Sequence, residues 1–251
     1  MKLCPMKLSL LGTTGYHPNE RAHTMCLLLP ECGVMLDAAT GMFRAAQHLK
    51  GPELDIFVTH AHLDHIIGLT FLFDVIRHHP LDRVTVHGEA TKLAAVEEHL
   101  FAESVFPARP PIEFRPLRGE VSLSGEGRLT HFPVEHPGGA VGYRLEWPSH
   151  SMAYVTDTTA SLDAAYLEQI RGVDLLVHEC YFPDQKADWA AKTGHSSITP
   201  VALLAKSAGV GRLVLVHMDP GTSDEDPVGL ETARQIFPAT ELAYDLMQLD
   251  F

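Results

Sequence analysis

His60-Ala61-His62-Leu63-Asp64-His65 places four potential metal ligands within six residues. The apolar run Ile56-Phe57-Val58-Thr59 before it reads as a strand, so His60 ends a strand and His62 lies in the turn. Asp64 and His65 open an amphipathic pattern that predicts a helix over 64–78. One tetrahedral ion cannot take all four groups without strain. Two ions can, with His60 and His62 pointing to one and Asp64 and His65 to the other. Imidazole and carboxylate together suit zinc, with manganese or iron as further options. A lone histidine in such a place is more often a capping or core residue. Four ligands at this spacing reverse those odds.

The remaining ligands of a two-metal set stand at other strand ends. His136, in Val134-Glu135-His136-Pro137, follows one strand and precedes a turn. Asp157 closes Ala153-Tyr154-Val155-Thr156, and His217 closes Val214-Leu215-Val216. Leu175-Leu176-Val177 likewise runs into His178, which reads as structural rather than as a ligand. Strands commonly end in polar residues, yet repeated His and Asp endings point to one rim of a sheet, where α/β proteins bind ligands. His136 would complete the His60/His62 ion and His217 the Asp64/His65 ion, with Asp157 giving an oxygen to each. Two metals about 3.5–4 Å apart that share a carboxylate and a water form a hydrolytic centre. Near neutral pH the bridging water loses a proton and becomes the nucleophile.

The chain is 251 residues long, 45% apolar and 20% charged, enough for a full core and too apolar for disorder. No apolar run approaches the roughly 18 residues of a membrane span, and residues 1–12 lack the pattern of a signal peptide. Acidic residues outnumber basic ones 32 to 19, giving a net charge of −13. Whole-surface binding of nucleic acid usually carries the opposite sign, so a polyanion would need a local site. Cys4, Cys26, Cys32 and Cys180 form no CxxC pair and read as reduced thiols of a cytoplasmic protein.

No linker or low-complexity tract interrupts the chain, so a single domain over 1–251 is expected. Strands are predicted at 6–11, 25–29, 34–37, 56–59, 83–87, 112–116, 129–134, 141–146, 152–156, 175–178, 213–216 and 241–244. Helices are predicted at 42–49, 64–78, 89–101, 162–171, 198–208 and 227–236. The early and middle strands follow one another as hairpins, and the later ones alternate with helices. Mixed sheets with helices outside give a layered α/β architecture.

With these residues in place, the chain over residues 12–219 resembles the metallo-β-lactamase fold superfamily. That resemblance implies a four-layer αββα sandwich with a binuclear site on one edge. It implies His60, His62, His136 and Asp157 on one metal, and Asp64, His65, Asp157 and His217 on the second. Two zinc ions are the expected cofactors, with manganese or iron as alternatives. Enzymes of the superfamily that hydrolyse lactams carry a Cys where Asp157 stands, so an antibiotic substrate is not expected.

Within the superfamily, His178-Glu179-Cys180, Gly194-His195-Ser196-Ser197 and Val216-His217 are similar in order to elements of the ribonuclease Z branch. The opening Leu11-Gly12-Thr13-Thr14-Gly15 and Gly142-Tyr143-Arg144-Leu145-Glu146 fit the same branch. The resemblance implies His195 as general acid, Glu179 as its partner and Asp64 as the residue that also positions the attacking water. Phosphodiester cleavage needs a proton for the departing alkoxide, and a His held by a carboxylate supplies one. Ribonuclease Z carries a long arm that grips tRNA where this chain has only the turn at 147–151. A phosphodiesterase acting on cyclic nucleotides, other small phosphodiesters or RNA is therefore expected. The alternative is a metallo-hydrolase of cyclic phosphodiesters, thioesters or lactones. The resemblance also allows a homodimer.

Overall fold

The apolar runs become strands close to their expected bounds. The computed structural model describes residues 6–222 and 225–251, so Cys4 and the acidic residue Asp224 lie outside it. It divides into two compact units, one reaching to Gly125 and including Tyr244–Asp250, the other Glu126–Ala243.

In the first unit, β1 (Lys7–Gly12), β2 (Cys26–Leu29) and β3 (Val34–Leu36) pair antiparallel. β4 (Glu53–Phe57), β5 (Arg83–Gly88) and β6 (Glu113–Pro116) then add in parallel. A short β7 (Val121–Leu123) follows, which the sequence pattern did not announce. In the second unit, β8 (Gly127–Val134), β9 (Ala140–Trp147) and β10 (His150–Val155) form a meander. β11 (Leu175–Glu179), β12 (Arg212–Val216) and β13 (Thr240–Leu242) extend it in parallel. The last strand, β14 (Gln248–Asp250), returns to the first sheet and gives the order β14-β1-β2-β3-β4-β5-β6.

Each sheet carries its own helical layer. In the first unit Leu28, Met35, Ile56 and Val86 pack with Leu69, Leu72, Val75 and Leu93. In the second, Ala153, Leu176, Leu213 and Leu215 pack with Ile198, Val201, Ala202 and Ala205. The parallel strands read as near-continuous apolar runs because both of their faces are buried.

The helices depart from expectation in several places. The single helix expected over 64–78 is broken into α1 (Leu63–Ile66), a 3-10 turn (Ile67–Phe71) and α2 (Leu72–His78). The break sits at Gly68, where a Cβ would lie 2.1 Å from the Ala39 carbonyl oxygen and 2.6 Å from Met42 Cβ. Close approach of two backbones, rather than helix periodicity, decides the geometry there. Over 89–101 a helix α3 (Ala90–Ala95) passes into a π turn (Val96–Leu100). The expected helix over 162–171 is instead a run of turns closed by Gly172 at φ +67. Its hydrogen bonds are mostly of the i to i+3 kind, such as Leu167 N to Ala164 O, and no helical ladder develops.

The segment α4 (Ala187–Thr193) was not anticipated, while α5 (Ile198–Ala208) matches its expected bounds and α6 (Leu230–Ile236) starts three residues late. In the expected core stretch Phe71-Leu72-Phe73, Leu72 is buried but Phe73 is 44% exposed. No helix among the described residues is long and apolar enough to cross a membrane.

Candidate metal centre

In the first unit the ligand cluster is built from one strand end and one helix start. β4 stops at Phe57, and the chain beyond it carries Thr59 and His60, both about 1% exposed. His62 is the N-cap residue of α1, which places Asp64 and His65 in the first helical turn. The rings of His60 and His62 lie 4.4 Å apart between centroids, and those of His60 and His65 lie 4.2 Å apart. Asp64 Oδ2 sits 3.6 Å from His65 Nε2 and accepts the Tyr16 backbone N–H at 2.7 Å.

Asp37, which the sequence reading passed over, orders this cluster. It is fully buried, and its carboxylate meets His65 Nδ1 at 2.8 Å. A carboxylate only accepts, so the proton is on Nδ1 and His65 presents an unprotonated Nε2. Thr59 Oγ1 lies 3.0 Å from both Asp37 oxygens and gives its proton there. Its lone pair then takes the proton of His60 Nδ1, also at 3.0 Å, and His60 Nε2 is presented in the same way. The signal existed in the sequence, because Val34-Met35-Leu36 is one more apolar strand running into an Asp. Asp37 adopts a left-handed backbone at φ 54.

In the second unit, Asp157 and His217 follow β10 and β12 and likewise adopt positive φ, at 51 and 59. Non-glycine residues held there carry strain, and such residues cluster at functional sites. Asp157 is 2% exposed, and its two oxygens face different histidines. Oδ1 lies 3.2 Å from His217 Nε2, and Oδ2 lies 3.5 Å from His136 Nε2. His136 Nδ1 meets the Gly194 carbonyl at 3.1 Å, so its proton is on Nδ1 and Nε2 is again the presented nitrogen. Ligand atoms of Asp157, His195 and His217 come within 4.8 Å of one another.

The expected His195–Glu179 pair forms in this unit. His195 Nδ1 sits 3.2 Å from Glu179 Oε1. The Glu179 side chain has no solvent exposure, and it accepts backbone N–H groups from Thr158 at 3.0 Å, Tyr181 at 3.1 Å and Ser196 at 3.3 Å. Four donors around one carboxylate hold it in place. The paired His195 keeps 15% side-chain exposure.

His178 is structural, as expected: fully buried between the Tyr166 hydroxyl at 3.0 Å and the Glu179 carbonyl at 2.7 Å. Burial pushes its pKa down and pushes the Tyr166 phenol up. Burial also raises the thiols, Cys32 to about 12, with Cys26 and Cys180 likewise pushed up, which makes them inert. Arg109 and Arg115 pair with Glu97 and Glu113.

The donor set tests well against a divalent metal. Imidazole Nε2 atoms oriented through Nδ1, together with carboxylates, are the ligand chemistry of zinc and its neighbours. A family model described as the beta-lactamase superfamily domain matches residues 33–218. The chain belongs to that superfamily. It is 27% identical to ribonuclease Z of Methanosarcina acetivorans, over 98% of both chains. It is 28% identical to ribonuclease BN of Escherichia coli, over 96% of this chain and 98% of the relative. Among solved structures, a metallo-β-lactamase fold protein of Bacillus subtilis superposes with TM-score 0.80 at 18% identity, covering 98% of this chain and all of the other. Human short-form tRNase Z gives 0.75 at 19% identity, covering 97% of this chain and 98% of the other. A diphosphatase of the PhnP family gives 0.74 at 22% identity, covering 99% of this chain and 98% of the other. At these identities the structures establish the metallo-β-lactamase fold. The expected superfamily, its ribonuclease Z-like branch and the hydrolase class are borne out.

Proposed function

We propose that the chain is a binuclear metal-dependent phosphodiesterase. The observation that carries this is Asp157, a buried carboxylate that turns one oxygen toward His217 and the other toward His136. His60, His62, His136 and Asp157 would hold one divalent ion, and Asp64, His65, Asp157 and His217 the other. Zinc fits the donors, and manganese or iron remains compatible with them. Such a pair of ions supplies an acidified water and neutralises charge on the phosphoryl oxygens. The chain's own groups do the rest. Asp64 orients the attacking water, and His195, fixed by Glu179, gives its Nε2 proton to the leaving oxygen.

Small phosphodiesters or short RNA suit the chain better than a folded tRNA. Between β9 and β10 the chain turns through Pro148-Ser149 alone, with Trp147 and His150 paired across the hairpin. The alignment to the Methanosarcina relative spans 314 positions against 251 residues here, so the relative has segments this chain lacks.

The test is a side-by-side screen of zinc- and manganese-loaded protein on bis(p-nitrophenyl) phosphate, cyclic nucleotides, precursor tRNA and thioesters. Turnover of the cyclic nucleotides or precursor tRNA, whose leaving alkoxides need a proton, that falls by about 10²–10⁴ in His195→Ala supports the proposal. Turnover of thioesters alone, unaffected by His195→Ala, overturns it, because a thiolate departs without a proton.

A further inference from the structure

The Tyr181 ring stacks on His195, with centroids 4.6 Å apart and planes 24° apart. A hydrogen bond at Nδ1 places one ring nitrogen, while flat neighbours against the ring face set its plane: Tyr181 lies against it most closely, and the His217 ring stacks at 5.5 Å and 28°. Tyr181 is itself held at both ends of its peptide unit. Its N–H is shared between Glu179 Oε2 at 3.1 Å and the Ser196 carbonyl at 3.2 Å, and its carbonyl accepts the Asp219 N–H at 3.3 Å. Phe182 packs edge-on against the same ring at 4.7 Å. The Glu179 carboxylate and the Tyr181 ring thus come from neighbouring residues and meet His195 on two different sides.

We propose that Tyr181 is a positioning residue for proton delivery: its ring fixes the plane of His195 so that Nε2 faces the leaving-group oxygen. This rests on the phosphodiesterase reading above. In the step concerned, the water oxygen forms a new bond to phosphorus. The bond from phosphorus to the leaving oxygen breaks, its electron pair stays on that oxygen, and the His195 Nε2 proton is transferred to it. The proton shed by the water returns to His195 through solvent, leaving an alcohol and a phosphomonoester.

A misaligned proton donor hurts only those leaving groups that need the proton. The experiment compares kcat on bis(p-nitrophenyl) phosphate, whose nitrophenolate departs unprotonated, with kcat on a dithymidine monophosphate, whose alkoxide does not. Metal content is matched across variants. With Tyr181→Leu, the dinucleotide-to-nitrophenyl ratio of kcat should fall about tenfold, part of the 10²–10⁴ that general acid catalysis contributes. KM should stay within about threefold, since the ring acts through His195. Tyr181→Phe, which keeps the ring, should restore the ratio to within about twofold of wild type. Should Tyr181→Leu lose its native circular dichroism, Tyr181→Met is read in its place. Equal losses on both substrates, or an unchanged ratio, overturn the role of Tyr181. Wild-type protein that binds metal and cleaves neither substrate overturns the phosphodiesterase reading and this proposal with it.

Discussion

The ligand cluster of the first unit comes from six consecutive residues, His60 to His65, while that of the second comes from separate segments ending in His136, Asp157, Glu179, His195 and His217. Local spacing sets the first. A strand end, a tight turn and one turn of α1 suffice, with Asp37 from the neighbouring strand holding two of the rings. Register sets the second. Val155 pairs with His178 and Glu179 with Val216, so the chain ends of β10, β11 and β12 come out level and deliver Asp157, Glu179 and His217 to one edge. The contiguous cluster is legible as a word, whereas the dispersed one exists only once a parallel sheet has formed.

The sharpest way to break this contrast is Asp157→Ala. Activity should drop to background and bound metal to one equivalent or fewer, measured by atomic emission. Retention of two metals would show that the dispersed cluster contributes none of the bridging. His195→Ala should cost about 10²–10⁴ in kcat on an alkyl phosphodiester while leaving metal content intact, which separates the proton donor from the ligands. Asp37→Asn tests the contiguous cluster. It removes the carboxylate that orients His65 and should weaken metal binding about 10–100-fold in a chelator competition.

Smaller effects test the scaffold under each cluster. Gly68→Ala pushes a Cβ into the Ala39 carbonyl and should cost about 1–3 kcal/mol in thermal unfolding, with no loss of metal affinity if α1 stays in place. The mildest effect is at Asp55. Burial opposes its ionisation, but hydrogen bonds from His87 and Arg83 win and hold its pKa at about 2, below the usual 3.8. A carboxyl whose folded pKa is depressed stabilises the protein above its unfolded pKa, and that contribution fades as pH falls from about 4 toward 2. Asp55→Asn should therefore flatten part of the acid limb in a pH series of melting temperatures and leave the neutral value lower.

The strands were legible because apolar, β-branched runs bounded by Gly, Pro or Asp report on burial directly. Seven of the nine proposed site residues were legible from dense spacing around His60 and the repeated His or Asp at strand ends, whereas Glu179 and His195 were legible only through the resemblance to the ribonuclease Z branch. The parts that were not legible depend on long-range contact. Gly68 breaks a helix because another backbone lies against it, which the helical periodicity of 64–78 cannot reveal. The turns over 162–171 carry helix-like apolar spacing because they also bury one side, with Tyr166 reaching inward to His178. Tyr181 acts on a histidine 14 positions away and stands in no motif of its own, while Asp37, 28 positions from His65, closes one more apolar strand whose partner histidine only the fold reveals.

The most direct test of two ions shared through Asp157 is anomalous diffraction at the zinc edge from crystals of the zinc-loaded protein. The expected result is two peaks, each about 2.0–2.2 Å from histidine Nε2 atoms, with one Asp157 oxygen on each. A single peak, or two peaks with Asp157 bound to neither or only one, would contradict it.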